Sequence, residues 1–286
     1  MELIEKVPEM KAWSAGHRVR GHRLGLVPTM GYLHDGHLSL VSYARGKCDR
    51  LVASIFVNPK QFGPREDLAQ YPRALERDLA LLEQIGVDAV FHPQPGEIYP
   101  PGFQTRVEVL EITKGLCGAF RPDLFPGVTT VVLKLFNIVQ PDLAVFGEKD
   151  YQQLLTIKRM VKDLNMDLTV EGQPTVREPD GLAMSSRNTY LSAEERLSAS
   201  AIPAALKMAQ ELAEQGVTGA AEILGAVRRH IEARPGCRVQ YAELVDPESL
   251  APKAEVDGDG RALLALAVMV GRTRLIDNAI LGEKPA

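Results

Sequence analysis

Two histidines, His34 and His37, stand in the stretch Pro28-Thr29-Met30-Gly31-Tyr32-Leu33-His34-Asp35-Gly36-His37. A short apolar run, Leu24 to Val27, precedes it, and what reads as a helix follows. At this spacing both imidazoles can face one spot once a helical turn begins. Gly36 lets an anion approach the backbone, and a helix N-terminus adds N–H donors and the positive end of a dipole. Two imidazoles aimed at a triphosphate stabilise the charge that builds as its α-phosphorus is attacked. Metal binding is a competing reading, weakened because no Cys, Glu or third His lies nearby. A purely structural turn is another. Neither a P-loop nor a G-x-G-x-x-G occurs, so the common phosphate cradles are missing.

Three further groups carry suitable chemistry. Met184-Ser185-Ser186-Arg187-Asn188, preceded by Arg177-Glu178-Pro179-Asp180-Gly181, offers two hydroxyls and a guanidinium on a flexible loop, good phosphate ligands. A solvated linker is the alternative. Gly147-Glu148-Lys149-Asp150 follows the apolar Leu143 to Phe146, so Lys149 can neutralise phosphate charge and Asp150 can accept from a ribose hydroxyl. A surface turn with a Glu–Lys pair fits the same residues. Gln61, within Asn58-Pro59-Lys60-Gln61-Phe62, and Gln153 lie just past strand ends. A neutral amide can donate to a carboxylate and accept from the hydroxyls of a hydroxy acid, although either glutamine alone reads as surface.

These groups need elements to hold them. Leu24 to Val27, Leu51 to Val57, Asp88 to Phe91, Leu143 to Phe146 and Leu168 to Val170 read as buried strands. Helical patterns lie between them, over about His37 to Ala44, from Pro72 in a first turn through Leu75, Leu79, Leu82 and Ile85, and over Gly127 to Val139 and Tyr151 to Leu164. The alternation predicts an α/β fold, a doubly wound and mostly parallel sheet with its ligand beyond the carboxyl ends of the strands. After Val176 the pattern changes. A capping box at Ser192 to Glu195 starts a long helix through residues 199–214, and a second covers about Ala220 to Arg234. Arg238 to Val245, Leu263 to Val270 and Arg274 to Leu281 then read as three antiparallel strands. The expected division is residues 1–176 as a Rossmann-like domain and 177–286 as a smaller α+β domain.

Bulk properties exclude some classes. With 33 Lys+Arg against 37 Asp+Glu the net charge is -4, which leaves no polybasic footprint for nucleic acid. The odd, scattered cysteines Cys48, Cys117 and Cys237 suit reduced thiols, and neither a signal peptide nor a membrane span is visible, so the cytoplasm is expected. Asp257-Gly258-Asp259-Gly260 echoes a calcium loop but lacks its bidentate Glu, and a hairpin turn is expected there. His17, His22, His92 and His230 show no partner pattern, and Trp13 is expected to pack on the core.

The ordered set PTMGYLHDGH (28–37), SIFVNPKQF (54–62), VFGEKDYQQL (145–154) and DGLAMSSRN (180–188) resembles the pantothenate synthetase family. Weaker similarity continues through GAFRPDLFPGV (118–128) to RLIDN (274–278). The H-x-G-H element alone is shared by a wider nucleotidyltransferase superfamily. The resemblance implies a Rossmann-like domain, a smaller domain that closes over the nucleotide, and a homodimer. It also implies ATP with Mg²⁺ as substrate, no tightly bound organic cofactor, and ligation of pantoate to β-alanine through a pantoyl-adenylate. Carried over by position, ATP would be bound by Met30, Gly31, Tyr32, Leu33, His34, Asp35, Gly36, His37, Gly147, Glu148, Lys149, Asp150, Val176, Met184, Ser185, Ser186 and Arg187. Gln61 and Gln153 would hold pantoate, and Gln61 would also border β-alanine. His34, His37 and Lys149 would be catalytic, with His37 matching the usual proton donor. Arg121-Pro122-Asp123-Leu124-Phe125 departs from the family's Arg-Pro-Gly-His-Phe, which puts that loop in question. Two other functions stay open: adenylylation of a phosphorylated small molecule, which would call for Lys or Arg where Gln61 and Gln153 stand, and a non-catalytic nucleotide-binding module.

Overall fold

The apolar runs of the first half become one sheet. Its strands are β1 (Glu2–Ile4), β2 (Leu24–Thr29), β3 (Arg50–Ile55), β4 (Ala89–Phe91), β5 (Leu143–Gly147) and β6 (Thr169–Gln173). They lie in the order β1-β4-β3-β2-β5-β6, and every pair is parallel rather than mostly so. The computed structural model describes residues 1–64, 66–256 and 261–282, so the turn expected at Asp257 to Gly260 lies outside the described residues.

Helices cover both faces, because a parallel sheet must bury each of them. α1 (Val7–Val19), α2 (Asp35–Arg45), α3 (Leu75–Ile85), the short α4 (Pro95–Ile98) and α5 (Cys117–Phe120), α6 (Leu124–Val139) and α7 (Tyr151–Asp163) follow in chain order. Along β2 the side chains alternate. Leu26 joins the core built with α1, α6 and α7, and Val27 joins the one built with α2 and α3. Sequence reading missed β1 and α1. The first is a three-residue edge strand, and the second buries only Met10 and Ser14, so neither has a strong apolar pattern.

The strand order reverses direction at β2, which has β3 on one side and β5 on the other. β2 and β5 pair only at Gly25↔Leu143 and Leu26↔Ala144. The ladder on that side therefore ends before Pro28, which has no N–H to give it. A doubly wound sheet binds its ligand where neighbouring strands part in this way.

The second half forms α8 (Ala193–Ala199), α9 (Ala201–Glu214) and α10 (Ala220–Glu232), then β7 (Cys237–Val245), β8 (Ala262–Val270) and β9 (Thr273–Leu281) in an antiparallel sheet. The capping box is present: Ser192 Oγ accepts from Glu195 N at 3.2 Å, and Glu195 Oε2 accepts from Ser192 N at 2.9 Å. The expected single long helix breaks at Ser200. Pro203 cannot donate to the carbonyl four residues back, so one helix ends and a new first turn begins.

By contacts the chain groups into two compact units. One comprises Met1–Lys114, Gly118–Glu148 and Gln153–Pro174; the other comprises Gly115–Cys117, Lys149–Gln152 and the described residues from Thr175 on.

Candidate active site

In the first unit the H-x-G-H stretch is a turn between β2 and α2. His34 is the N-cap of α2, with extended backbone, and its carbonyl accepts from His37 N at 2.7 Å and Leu38 N at 3.0 Å. The two imidazoles lie with ring centroids 4.0 Å apart, so the spacing brings them together as expected. His34 N donates to His37 Nδ1 at 3.4 Å. A neutral His37 that accepts at Nδ1 carries its proton on Nε2, the form of a donor.

What fixes the turn is a residue that sequence reasoning passed over. Asp78 on α3 is buried, and its carboxylate accepts from Tyr32 N at 2.6 Å and Leu33 N at 2.8 Å. Gly31 has φ +82, and a Cβ there would lie 2.9 Å from Ile55 Cγ2 and 3.1 Å from Asp78 Oδ2. Thr29 completes the frame: its Oγ1 donates to Ser54 O at 2.8 Å and accepts from Gly31 N at 3.1 Å. The signal for Asp78 was available. It occupies the apolar stripe of α3 between Leu75 and Leu82, where a carboxylate needs a reason.

Gln61 ends the 3₁₀ turn Pro59–Gln61, which Asn58 caps. Asn58 is buried and satisfied: Oδ1 accepts from Lys60 N at 3.2 Å and from the Tyr99 hydroxyl at 2.8 Å, and Nδ2 donates to Gly127 O at 3.0 Å. Burial pushes the Tyr99 phenol well up, so it stays a donor. A Cβ at Gly127 would sit 2.1 Å from Lys60 O, so the first turn of α6 can approach this loop only as glycine. Arg121 secures the other side, donating from Nε to Glu66 Oε1 at 2.7 Å and from Nη2 to Gln61 O at 3.0 Å. The Asp123-Leu124 departure falls beside this contact. Arg121 grips the loop, Asp123 is exposed and reaches Arg106 at 3.5 Å, and Leu124 packs on the core edge.

Gly147 ends β5, and Glu148 opens the 3₁₀ turn Glu148–Asp150. Gln153 is half-buried on α7, whereas its neighbour Gln152 is buried in the second unit, accepting from Cys117 N at 3.0 Å and donating to Gly115 O at 2.9 Å. Adjacent amides thus differ in employment: Gln152 holds the fold, and Gln153 and Gln61 have side-chain amides with no hydrogen-bond partner among the described residues. Asp35 and Asp150 are exposed, and Met30 and Met184 are half-buried.

In the second unit Lys149 is half-buried and makes no ion pair among the described residues, while its carbonyl accepts from Asn278 Nδ2 at 3.0 Å. The segment read as a flexible loop or solvated linker is neither. Met184 N donates to Val176 O at 3.0 Å, Glu178 N to Leu182 O at 2.8 Å, and Arg177 bridges Ala183, which makes a hairpin. Arg177 forks onto buried Asp277, at 2.7 and 3.1 Å. Asn188 Nδ2 donates to Glu178 Oε1 and to Ala183 O, and Arg196 on α8 bridges Glu178 and Asp180. Burial pushes the Glu178 carboxyl up, but hydrogen bonds from Arg196 and Asn188 outweigh it and hold it below the usual range. Arg196 likewise lowers Asp180. On this frame Ser185 caps the 3₁₀ turn Ser186–Tyr190, its Oγ accepting from Arg187 N at 3.3 Å.

Of the set-aside histidines, His17 and His22 do pair, Nδ1 to Nδ1 at 3.0 Å, across the turn that ends α1. Trp13 packs beside the core with its indole N–H on Glu2 Oε1 at 2.9 Å. Cys48, Cys117 and Cys237 are free thiols.

The family model for pantoate–β-alanine ligase matches residues 2–280. Pantothenate synthetase of Syntrophobacter fumaroxidans is 56% identical over 281 residues, which cover 98% of this chain and 99% of that one. The Geobacter sulfurreducens enzyme is 52% identical over 284 residues, 99% and 100% of the two chains. Among solved structures, pantothenate synthetase from Thermus thermophilus aligns with a TM-score of 0.91 at 49% identity, covering 98% of this chain and 99% of that one. Pantoate–β-alanine ligase from Francisella tularensis, complexed with β,γ-ATP and β-alanine, aligns at 0.84 and 33% identity over 100% of both. Matched over nearly its whole length in sequence and in fold, the chain belongs to the pantoate–β-alanine ligase family.

Proposed function

We propose that this protein condenses (R)-pantoate with β-alanine at the expense of ATP, giving pantothenate, AMP and pyrophosphate through an enzyme-bound pantoyl-adenylate. The observation that carries the reading is the His34–His37 pair, rings 4.0 Å apart at the mouth of α2, beside the point where β2 and β5 part. A carboxylate is a poor acyl donor because its oxygen does not leave. Attack of the pantoate carboxylate on the α-phosphorus expels pyrophosphate and converts that oxygen into part of AMP, a good leaving group. The amine of β-alanine then displaces AMP at the acyl carbon.

His34, His37 and Lys149 are the groups that stabilise the charged phosphoryl transition state, with His37 donating from Nε2. Residues 30–37, Gly147 to Asp150, Val176 and Met184 to Arg187 bind ATP, whose Mg²⁺ arrives with it as part of the substrate. The amides of Gln61 and Gln153 suit the carboxylate and hydroxyls of pantoate, and Gln61 borders β-alanine. A phosphorylated acceptor would call for cations at those two positions, and that reading is set aside. In this reading residues 1–176 bind ATP and pantoate, residues 177–286 supply further phosphate ligands, and the protein works as a cytoplasmic homodimer without a tightly bound organic cofactor. Among the described residues no helix is long and apolar enough to cross a membrane, and no group of three or more His, Cys, Asp or Glu could hold a metal.

The test is exchange of labelled pyrophosphate into ATP with Mg²⁺ and pantoate present and β-alanine absent. Pantoate-dependent exchange is the expected result. A folded, ATP-binding protein that shows none would have a different acceptor or a different chemistry.

A further inference from the structure

The short segment that carries Lys149 follows a strand of the parallel sheet, yet Lys149–Gln152 groups with the second unit. Within that unit it is held at both ends. Asn278 Nδ2 donates to Lys149 O at 3.0 Å. Three residues on, Gln152 clips residues 115–117 through Cys117 N and Gly115 O. Cys117 in turn has its Sγ 3.2 Å from the Tyr241 hydroxyl and 3.4 Å from Arg274 Nη2.

Asn278 and Arg274 are both on β9, four residues apart, and so project from the same face of the strand. That face is not the core face. Thr273, Leu275, Asp277 and Leu281 are buried on one side, and Arg274, Ile276 and Asn278 are half-buried on the other. Asp277, from the core side, takes the fork of Arg177 at the root of the hairpin that leads to Ser185.

We propose that Asn278 is a positioning residue for Lys149, acting through the main-chain carbonyl. A lysine has four rotatable side-chain bonds, so a backbone fixed at Lys149 sets the one point from which its ammonium must reach. The side chain of Lys149 makes no ion pair among the described residues, so little else in the second unit orients it. This inference rests on the transition-state role assigned to Lys149 above.

A double-substitution cycle tests it. Asn278→Ala and Asn278→Asp are made in the unsubstituted protein and in Lys149→Ala, and pantoate-dependent pyrophosphate exchange is measured, with kcat and KM resolved. Thermal melting confirms that each variant is folded. Asn278→Ala lowers kcat by roughly tenfold, what one well-placed hydrogen bond is worth, and leaves KM for pantoate unchanged. Asn278→Asp keeps the shape, loses the donor, and falls at least as far. In Lys149→Ala neither change has a further effect beyond about twofold, because the group they act through is gone. An equal loss in both backgrounds, or unaltered exchange in folded Asn278→Ala, overturns the positioning role and leaves the ligase reading standing. Absence of exchange in the unsubstituted protein overturns both.

Discussion

The turn that carries His34 and His37 and the hairpin that leads to Ser185 and Arg187 are both short polar segments assigned to phosphate, and they are held by different physics. The first is fixed from inside the sheet unit. One buried carboxylate, Asp78, collects two backbone N–H groups, and Gly31 takes a left-handed conformation against Ile55. The second is fixed by charged side chains, one pair reaching a buried carboxylate at Asp277 and the others partly exposed. Arg177 forks onto Asp277, and Arg196 joins Glu178 to Asp180. A backbone held by a buried acceptor is insensitive to salt and has little room for substitution. One held by partly exposed ion pairs is adjustable and weakens with acid and ionic strength.

The sharpest way to break that contrast is Asp78→Ala. It strands two N–H groups where water has limited access, and should destabilise the protein by about 3 kcal/mol, read from denaturant midpoints. A cost no greater than that of an exposed ion pair would mean the turn is held some other way. Next in size is the chemistry. His37→Ala and Lys149→Ala should each lower turnover by ~10²-fold at saturating ATP with melting temperatures nearly unchanged, because each removes a preorganised donor. Near-normal turnover in both would remove them from the mechanism. Gly31→Ala follows. The left-handed φ and the approach to Ile55 Cγ2 at 2.9 Å should together cost about 2 kcal/mol.

The same contrast decides what was legible in the sequence. Positions governed by local pattern were readable. The apolar runs of β2, β3 and β5 announced a parallel sheet, and H-x-G-H after β2 announced a turn into a helix with both rings together. Boundaries slipped by up to three residues: α6 begins at Leu124 rather than Gly127, α3 at Leu75 rather than Pro72, and α2 at Asp35 rather than His37, where the cap is set by backbone geometry at His34. What stayed hidden was set by partners far along the chain. Asp78 is 46 residues from Tyr32, and Asn278 is 129 residues from Lys149. No local period encodes those pairs. The hairpin at residues 176–184 was hidden for the same reason, since its polarity reads as solvent exposure until Asp277 and Arg196 are brought to it.

The smallest effect separates the two regions most cleanly. Arg196 is hydrogen-bonded to Glu178 and Asp180, and both carboxyls are held below their ordinary range. A carboxyl whose pKa is lowered by folding contributes stability that is fully present above its unfolded value. That contribution is lost as pH falls through the lowered, folded value. Arg196→Met should therefore melt below the unsubstituted protein by a small, constant margin from neutral pH down to about pH 5, and the margin should shrink below about pH 4 as the carboxylates protonate. Since the pairs are partly exposed, the margin should correspond to no more than about 1 kcal/mol, and raised salt should narrow it further. Asp78→Ala offers the control, because the donors it strands are backbone amides that salt does not screen. If added salt narrowed the Asp78→Ala deficit as much as the Arg196→Met deficit, the two segments would share one kind of support, and the distinction between them would fail.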